Sequence, residues 1–218
     1  MPGNIELLPR ESLVTTSEVD HADWNYSSLL GFLQRTRFRL VRSLIRGRIG
    51  GDLLEIGYGS GIFFPELQKY CDHISGIDIH PFDREVMESI RDLSIEADLR
   101  SGDVCHMPFG DASFDTAVVV SALEYVEDID TACREIVRVL KPDGVLIAVT
   151  PGKSQILDTA LKLFGGEDAY RNYGDRRERL VPALSRHFDT EKLIHWPWPG
   201  MPAITAYRAL RLRPKLPA

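Results

Sequence analysis

The most constraining feature of this sequence is an apolar run that leads through an acid into three closely spaced glycines. It reads Leu53-Leu54-Glu55-Ile56-Gly57-Tyr58-Gly59-Ser60-Gly61. Glycine reaches positive φ and has no Cβ, so this spacing predicts a tight strand-to-helix turn whose backbone can touch a small ligand. Dinucleotide-binding folds use G-x-G-x-x-G, and here Ile62 occupies the position of the last glycine. The pattern therefore indicates a nucleotide-like cofactor and disfavours a dinucleotide.

Composition narrows the class of protein. A length of 218 residues favours one domain, and 44% hydrophobic with 27% charged residues is typical of soluble globular proteins. No apolar run approaches the ~20 residues that span a bilayer, and no secretory signal is visible, so we expect a cytoplasmic protein and no integral membrane segment. The net charge of -6 disfavours nucleic acid as a substrate.

The cysteines give no sign of a metal site. Cys71, Cys105 and Cys133 lie far apart, without C-x-x-C spacing or a neighbouring histidine cluster. We expect three reduced thiols and predict no metal.

Strand and helix patterns alternate along the chain, which predicts a mainly parallel sheet with helices on both faces. The predicted strands are Asp52 to Ile56, His73 to Asp78, Ile95 to Arg100, Asp115 to Ser121, Gly144 to Thr150, Thr190 to Trp196 and Ala203 to Leu212. The predicted helices are Ser28 to Arg48, Phe82 to Leu93, Ile129 to Leu140, Ser154 to Phe164 and Asp175 to Phe188. A short Pro-Trp-Pro-Gly connection favours antiparallel pairing of the last two strands.

Two strands lead into polar groups that a nucleoside requires. Asp78 closes the second strand, where a doubly wound sheet places an acid that accepts both ribose hydroxyls. Asp103 follows the third strand and can accept a hydrogen bond from an adenine amino group, while the Val104 amide can donate to a ring nitrogen. As an alternative, the Asp78 carboxylate only caps the following turn. Likewise, the three glycines can be required only by the conformation of the turn and not by a ligand.

In this order, the motifs resemble the class I S-adenosylmethionine-dependent methyltransferases, in particular their small-molecule branch. The matching blocks are Leu53 to Gly61, His73 to Asp78, Gly102 to Phe109, Ala112 to Tyr125 and Leu140 to Gly144. Met107 stands where leucine is commoner in that family, and Tyr58 where cysteine or alanine often occurs. The resemblance implies an α/β fold: a Rossmann-like, doubly wound, seven-stranded and mostly parallel sheet with an antiparallel edge strand and helices on both faces.

The resemblance also implies a cofactor, S-adenosyl-L-methionine, with S-adenosyl-L-homocysteine as product. It places Gly57, Tyr58 and Gly59 along the methionine part of the cofactor and Glu55 near its ammonium group. The ribose would bind Asp78, and the adenine would contact Ile79, Asp103 and Val104. The backbone of Ser121 would meet the methionine end.

Candidates for acceptor contacts follow the fourth strand. Glu124 and Tyr125 lie at the carboxyl edge of the sheet, where ligands bind in open α/β folds, so we interpret them as catalytic candidates. The alternative for Glu124 is a favourable charge at the start of the next helix. Among the histidines, we expect His106 in the cofactor-pocket wall and His80 on a surface loop. For His187 and His195 a packed or exposed position is the default, and a role in substrate binding is the alternative.

Within the single domain 1–218, the shared motifs leave specificity to the flanking parts. We divide the chain into an N-terminal arm and cap helix (1–50), a cofactor-binding core (51–151), an acceptor cap (152–188) and a closing strand pair with a basic tail (189–218). We expect the first twenty residues to be loose, whereas Trp24 and Tyr26 either close over the cofactor or anchor the first helix. The aromatics predicted to line the acceptor cap are Phe164, Tyr170 and Tyr173.

An arginine stripe runs along the first predicted helix, at Arg35, Arg39, Arg42 and Arg46. Such a stripe is typical of a solvated helix face. The functional alternative is that these arginines bind an anionic acceptor or the surface of an anionic membrane. In the membrane case the basic tail would contribute further positive charge.

The resemblance implies a methyltransferase that transfers a methyl group by in-line displacement to a small or lipid-like organic acceptor. Two alternatives stay open: a catalytically silent domain that binds S-adenosylmethionine or a partner protein, and a nicotinamide oxidoreductase.

Overall fold

A single seven-stranded sheet organises the chain. The computed structural model describes residues 4–17, 22–28, 30–45, 50–152, 176–198 and 205–215. The strands are β1 Asp52–Ile56, β2 His73–Asp78, β3 Ala97–Ser101, β4 Phe114–Val120, β5 Leu140–Pro151, β6 Phe188–Trp196 and β7 Tyr207–Pro214. Their order in the sheet is β3-β2-β1-β4-β5-β7-β6. Strands β1 to β5 are mutually parallel, and β7 runs antiparallel to both β5 and β6. The predicted fold is confirmed, with β7 as the antiparallel member of the edge pair.

Helices cover both faces of the sheet. They are α1 Gly31–Leu44, α2 Phe64–Leu67, α3 Asp83–Arg91, α4 Ile129–Val139 and α5 Arg176–His187, with short 3-10 turns at Arg10–Ser12, Ala22–Tyr26 and Leu123–Tyr125. The sequence dictates this layering because neighbouring strand residues point to opposite faces. In β1, Leu53 packs in the apolar cluster with α1 and α3, whereas Leu54 packs in the cluster with α4 and α5.

The chain reverses its winding beside β1, which lies between β2 and β4. From β1 the chain moves outward to β2 and β3, then crosses to β4 on the other side. In open α/β sheets the carboxyl ends of the strands flank a crevice at such a switch point, and ligands bind there. The fold therefore brings the loops after β1, β2, β3 and β4 to one edge.

Strands β1 and β2 have the predicted bounds, whereas β3 to β7 differ from prediction by one or more residues, and two of these shifts have a local cause. Strand β3 begins at Ala97 rather than Ile95, because the Ile95 amide donates to the Ile90 carbonyl and so closes the turn that ends α3. Strand β5 begins at Leu140, so the Pro142-Asp143-Gly144 turn lies within it as an irregularity in the pairing with β4.

The N-terminal arm is packed rather than loose, so that expectation is wrong for residues 4–17. Ile5 and Leu8 are buried, and the Leu8 amide donates to the Ile62 carbonyl at 3.1 Å. The Glu6 amide donates to the buried Glu66 carboxylate at 3.0 Å. Apolar burial and these backbone bonds compensate for the entropy of ordering the arm.

The arginine stripe on α1 is half-buried and contacts protein groups, so the solvated face is also a wrong expectation for its described members. Arg35 donates to the Asn25 carbonyl, Arg39 lies 5.4 Å from the Phe32 ring centroid, and Arg42 is 3.7 Å from Glu66. Arg46 lies outside the described residues, as do the predicted helix Ser154 to Phe164 and the acceptor-cap aromatics.

Within the described ranges, no helix is long and apolar enough to cross a membrane. The three cysteines are free and buried.

Candidate cofactor site

The glycine turn after β1 adopts the backbone geometry predicted for it. Gly57, Gly59 and Gly61 have φ of 74°, 51° and 71°, a region that side chains disfavour. A Cβ at Gly57 would lie 2.4 Å from the Cβ of Ala122, so this position also needs glycine for space. The turn therefore leaves bare backbone at the crevice.

Asp78, at the end of β2, binds the glycine turn directly. Its Oδ2 accepts the Gly59 N–H at 2.8 Å, and its Oδ1 accepts the His80 N–H at 3.4 Å. A carboxylate offers about four acceptor positions, so two remain free for further donors. The alternative that Asp78 stabilises the following turn and the prediction that it accepts ligand hydroxyls are thus compatible.

Glu55 is a buried carboxylate whose Oε2 has no hydrogen-bond partner among the described residues. Its side chain is 3% exposed, on the β1 position before Ile56. Burial, and to a lesser extent the nearby Asp78 charge, raises the pKa of Glu55 well above its usual range. An unpaired buried carboxyl is costly, which is the signature of a group that awaits a partner.

Further unpartnered polar atoms surround the same space. Among the described groups they are the Asn25 Oδ1 and the hydroxyls of Tyr58, Ser60 and Ser121. Burial raises the pKa of the Tyr58 phenol, with smaller contributions from Asp78 and Asp83. Ser121 has a φ of 54°, an uncommon conformation for a residue other than glycine, and such strain concentrates at functional sites.

These groups line one cavity of about 1140 Å³ over the carboxyl ends of the strands. All nine residues predicted from the resemblance to bind cofactor reach its wall: Glu55, Gly57, Tyr58, Gly59, Asp78, Ile79, Asp103, Val104 and Ser121. Ile79 is 80% exposed, so it presents an apolar surface to whatever enters. Asp103 is exposed as well, and its Oδ1 accepts the Cys105 N–H at 2.9 Å. His106 lines the cavity, as predicted.

The two catalytic candidates occupy different environments. Tyr125 is 38% exposed and lines the cavity. Glu124 is 1% exposed and is absent from the cavity wall, although its neighbours in the 3-10 turn Leu123–Tyr125 line it. Its catalytic role stays a prediction that this position does not favour.

His80 does not lie on a surface loop, and that expectation is wrong. Its side chain is 6% exposed and its Nε2 is 3.0 Å from the Gly59 carbonyl oxygen. The sequence gives no signal for this contact because it joins the loops after β1 and β2. His187 pairs with Asp130 at 2.9 Å and His195 lies 3.3 Å from Thr205, and neither lines the cavity.

Sequence reasoning missed several residues that the N-terminal part contributes to the wall. They are Thr16, Ser17, Asn25, Gln34 and Arg37. Trp24 also lines the cavity, in agreement with one of its two predicted roles, whereas Tyr26 donates to the Leu8 carbonyl. Arg37 is the sole lysine or arginine among the described lining residues. It does not belong to the arginine stripe of the first helix.

The fold and the cavity together define a doubly wound α/β protein with a ligand-sized site at the switch point of its sheet. Comparison with known proteins narrows this class. A family model described as a methyltransferase domain matches residues 54–148. A probable S-adenosylmethionine-dependent methyltransferase of Mycolicibacterium smegmatis is 30% identical over 149 residues, which cover 67% of this chain and 56% of that relative. The chain thus spans little more than half of that relative's length.

Two further similarities agree. Demethylmenaquinone methyltransferase of Listeria monocytogenes is 27% identical over 183 residues, which cover 73% of this chain and 76% of that protein. The fold matches that of the N-methyltransferase NodS of Bradyrhizobium japonicum, solved with S-adenosyl-L-homocysteine, with a TM-score of 0.63 and 19% sequence identity. The match covers 93% of this chain and 95% of NodS. The chain belongs to the class I S-adenosylmethionine-dependent methyltransferase family, whose cofactor is S-adenosylmethionine.

Proposed function

We propose that this chain binds S-adenosylmethionine in the cavity and transfers its methyl group to a small or lipid-like organic acceptor. The observation that carries the proposal is the unpartnered, buried Glu55 carboxyl beside the glycine turn. A buried acid with a raised pKa fits a ligand that brings its own positive charge, and the ammonium group of the methionine part supplies one.

We assign the remaining cofactor contacts on the same basis. Gly57, Tyr58 and Gly59 lie along the methionine part, and the Ser121 backbone meets its end. The two free acceptor positions of Asp78 match the two ribose hydroxyls in number. Ile79 packs on the adenine, whose edge hydrogen-bonds to Asp103 and the Val104 amide. Arg37 supplies a countercharge for an anionic group in the cavity.

The chemistry asks little of the protein beyond alignment. S-adenosylmethionine supplies a sulfonium-bound methyl group that is already electrophilic. The cavity walls orient the acceptor and exclude water, and orientation alone can contribute on the order of 7 to 11 kcal/mol to the rate. Tyr125 is the described residue that we propose for acceptor contact, since it lines the cavity and is 38% exposed.

Cavity size and lining support an organic acceptor. The volume of about 1140 Å³ exceeds the ~300 to 1,000 Å³ of typical small-molecule sites, which suits a cofactor together with a second molecule. Trp24, Phe38 and Tyr207 give the wall an aromatic section. A relative named for methylation of demethylmenaquinone supports a lipid-like acceptor. Buried free thiols fit a reducing compartment, so we propose that the chain works in the cytoplasm.

Calorimetry with S-adenosylmethionine, S-adenosylhomocysteine and NAD tests the cofactor assignment. We expect both sulfur compounds to bind and NAD not to bind; NAD binding alone would favour an oxidoreductase. Incubation with methyl-labelled cofactor and either a lipid extract or an aqueous metabolite extract then tests turnover. Label in neither extract, despite cofactor binding, would favour the catalytically silent alternative.

Peripheral contact with an anionic membrane is a further part of the proposal. Phe32 and Trp198 are more than half exposed, and Arg39 lies over the Phe32 ring. Interfacial helices combine aromatic and basic groups in this way. Sedimentation with anionic vesicles at low salt should retain the protein, Phe32→Asp should weaken retention, and the matched control Leu93→Asp should not. Equal sedimentation with neutral vesicles would contradict an electrostatic contact.

A further inference from the structure

His80 joins the loop after β2 to the glycine turn through its side chain. Its Nε2 lies 3.0 Å from the Gly59 carbonyl oxygen, and its Nδ1 lies 3.2 Å from the Phe82 amide nitrogen. The ring is buried and meets the Tyr58 ring edge-on, with centroids 4.9 Å apart. Packing and two polar contacts therefore determine the orientation of the imidazole.

The partners of His80 determine which ring nitrogen carries the proton. The Phe82 amide can only donate, so Nδ1 must offer its lone pair. The Gly59 carbonyl can only accept, so Nε2 must carry a hydrogen. Both bonds form together only in the neutral imidazole with its proton on Nε2.

Both backbone polar groups of Gly59 are therefore hydrogen-bonded to residues at the end of β2 and in the loop that follows it. Its N–H donates to Asp78 Oδ2 at 2.8 Å, and its carbonyl accepts from His80 Nε2. Gly59 has a positive φ of 51°. Glycine adopts positive and negative φ about equally well, so the residue type alone does not select this conformation. Without these two bonds the turn has many alternatives of similar energy.

The backbone of His80 also restrains the Asp78 carboxylate, and the His80 ring lies beside it. Its backbone N–H donates to Asp78 Oδ1 at 3.4 Å, and its Nε2 lies 3.7 Å from Asp78 Oδ2. Bonds from Gly59 and His80 thus occupy one acceptor position on each carboxylate oxygen. One position on each oxygen stays available, which is the arrangement that a pair of adjacent hydroxyls needs.

We propose that His80 is a positioning residue that holds the Gly59 turn and Asp78 in the geometry that receives the ribose of the cofactor. The inference rests on the proposed function, because it concerns the same cavity. His80 lines that cavity but acts through Gly59 and Asp78. Its neutral imidazole provides one donor and one acceptor at a spacing that no other uncharged side chain reproduces.

Two substitutions separate the bonds. In His80→Gln the amide nitrogen replaces Nε2, so the bond to Gly59 is retained and the bond to Phe82 is lost. In His80→Asn the amide oxygen replaces Nδ1, so the bond to Phe82 is retained and the bond to Gly59 is lost. Calorimetry with S-adenosylhomocysteine should give His80→Gln an affinity within about threefold of the wild type and His80→Asn a loss of about tenfold.

A double variant distinguishes positioning from general destabilisation. If His80 acts through Asp78, then His80→Asn should weaken binding little further in an Asp78→Asn background, because residues of one network are not additive. Unchanged affinity in His80→Asn, equal losses in both single variants, or fully additive losses would each overturn the inference while leaving the proposed function intact. Failure of the wild-type protein to bind S-adenosylhomocysteine would instead overturn the proposed function, and the inference with it.

Discussion

Replacement of Glu55 by glutamine should stabilise the empty protein and weaken cofactor binding. The side chain is 3% exposed and its Oε2 has no partner among the described residues. The glutamine amide leaves the site equally unsatisfied but removes the ionisable group, and each pH unit over which the folded carboxyl keeps a proton that the unfolded chain releases costs about 1.4 kcal/mol. We therefore expect a gain of at least about 1 to 3 kcal/mol at pH 8. At about 2 to 4 °C per kcal/mol for a domain of this size, Glu55→Gln should raise the Tm by about 2 to 12 °C at pH 8.

The stability gain of Glu55→Gln should depend on pH. Folding raises the pKa of Glu55 above its usual 4.5, so the folded chain retains a proton that the unfolded chain releases. The stabilising contribution of this proton is complete below pH 4.5 and is lost as the pH rises through the raised pKa. The Tm difference between Glu55→Gln and wild type should therefore be larger at pH 8 than at pH 5.

Glu66→Gln is a matched control for which we expect a change in Tm of opposite sign. Glu66 is also buried, and burial by itself would raise its pKa. Hydrogen bonds from the Glu6 backbone, Lys69 and Tyr70 outweigh burial and lower that pKa. Its contribution is present above the unfolded value and lost as the pH falls through the folded pKa, so Glu66→Gln should lower the Tm at pH 8.

Cofactor binding should reverse the ranking of Glu55→Gln and wild type. A charged hydrogen bond contributes about 1.5 to 3 kcal/mol, so Glu55→Gln should bind S-adenosylhomocysteine about 10- to 150-fold more weakly. Thermal melts at pH 5 and pH 8, with and without this ligand, measure both effects. A Tm of the empty variant at or below wild type at pH 8 would refute the reasoning.

Two further substitutions test the walls of the cavity. Asp78→Asn removes the charge and one acceptor, and calorimetry should show an affinity for S-adenosylhomocysteine about 10- to 150-fold weaker, whereas the nearby Asp83→Asn should stay within about twofold. Gly57→Ala combines a φ of 74° with a Cβ 2.4 Å from that of Ala122, so thermal melts should show a loss of about 2 to 5 kcal/mol. Gly110→Ala has only a 3.3 Å contact with a Ser113 hydroxyl and should be near neutral, so equal effects in the two glycine variants would contradict the steric argument.

Most of the fold and much of the cavity wall could be predicted because their determinants are local in the sequence. Alternating apolar patterns define β1 and β2, and glycine is the residue whose backbone permits the turn at Gly57. Strands of a parallel sheet end at a common edge, so a carboxylate that closes a strand, such as Asp78, is automatically near the switch point. The side chains predicted from this logic reach one cavity.

The sequence by itself thus determined the doubly wound sheet, the bare glycine turn and the acids around it, because each depends on a strand, a turn or their immediate junction. Only the tertiary structure decided which side chains enter the cavity from elsewhere and which turn away. His80 reaches Gly59 across two loops, Arg37 enters from α1, and Glu124 is buried beside a cavity that Tyr125 lines. These outcomes depend on how distant elements pack, and packing fixes side-chain directions that no local pattern encodes.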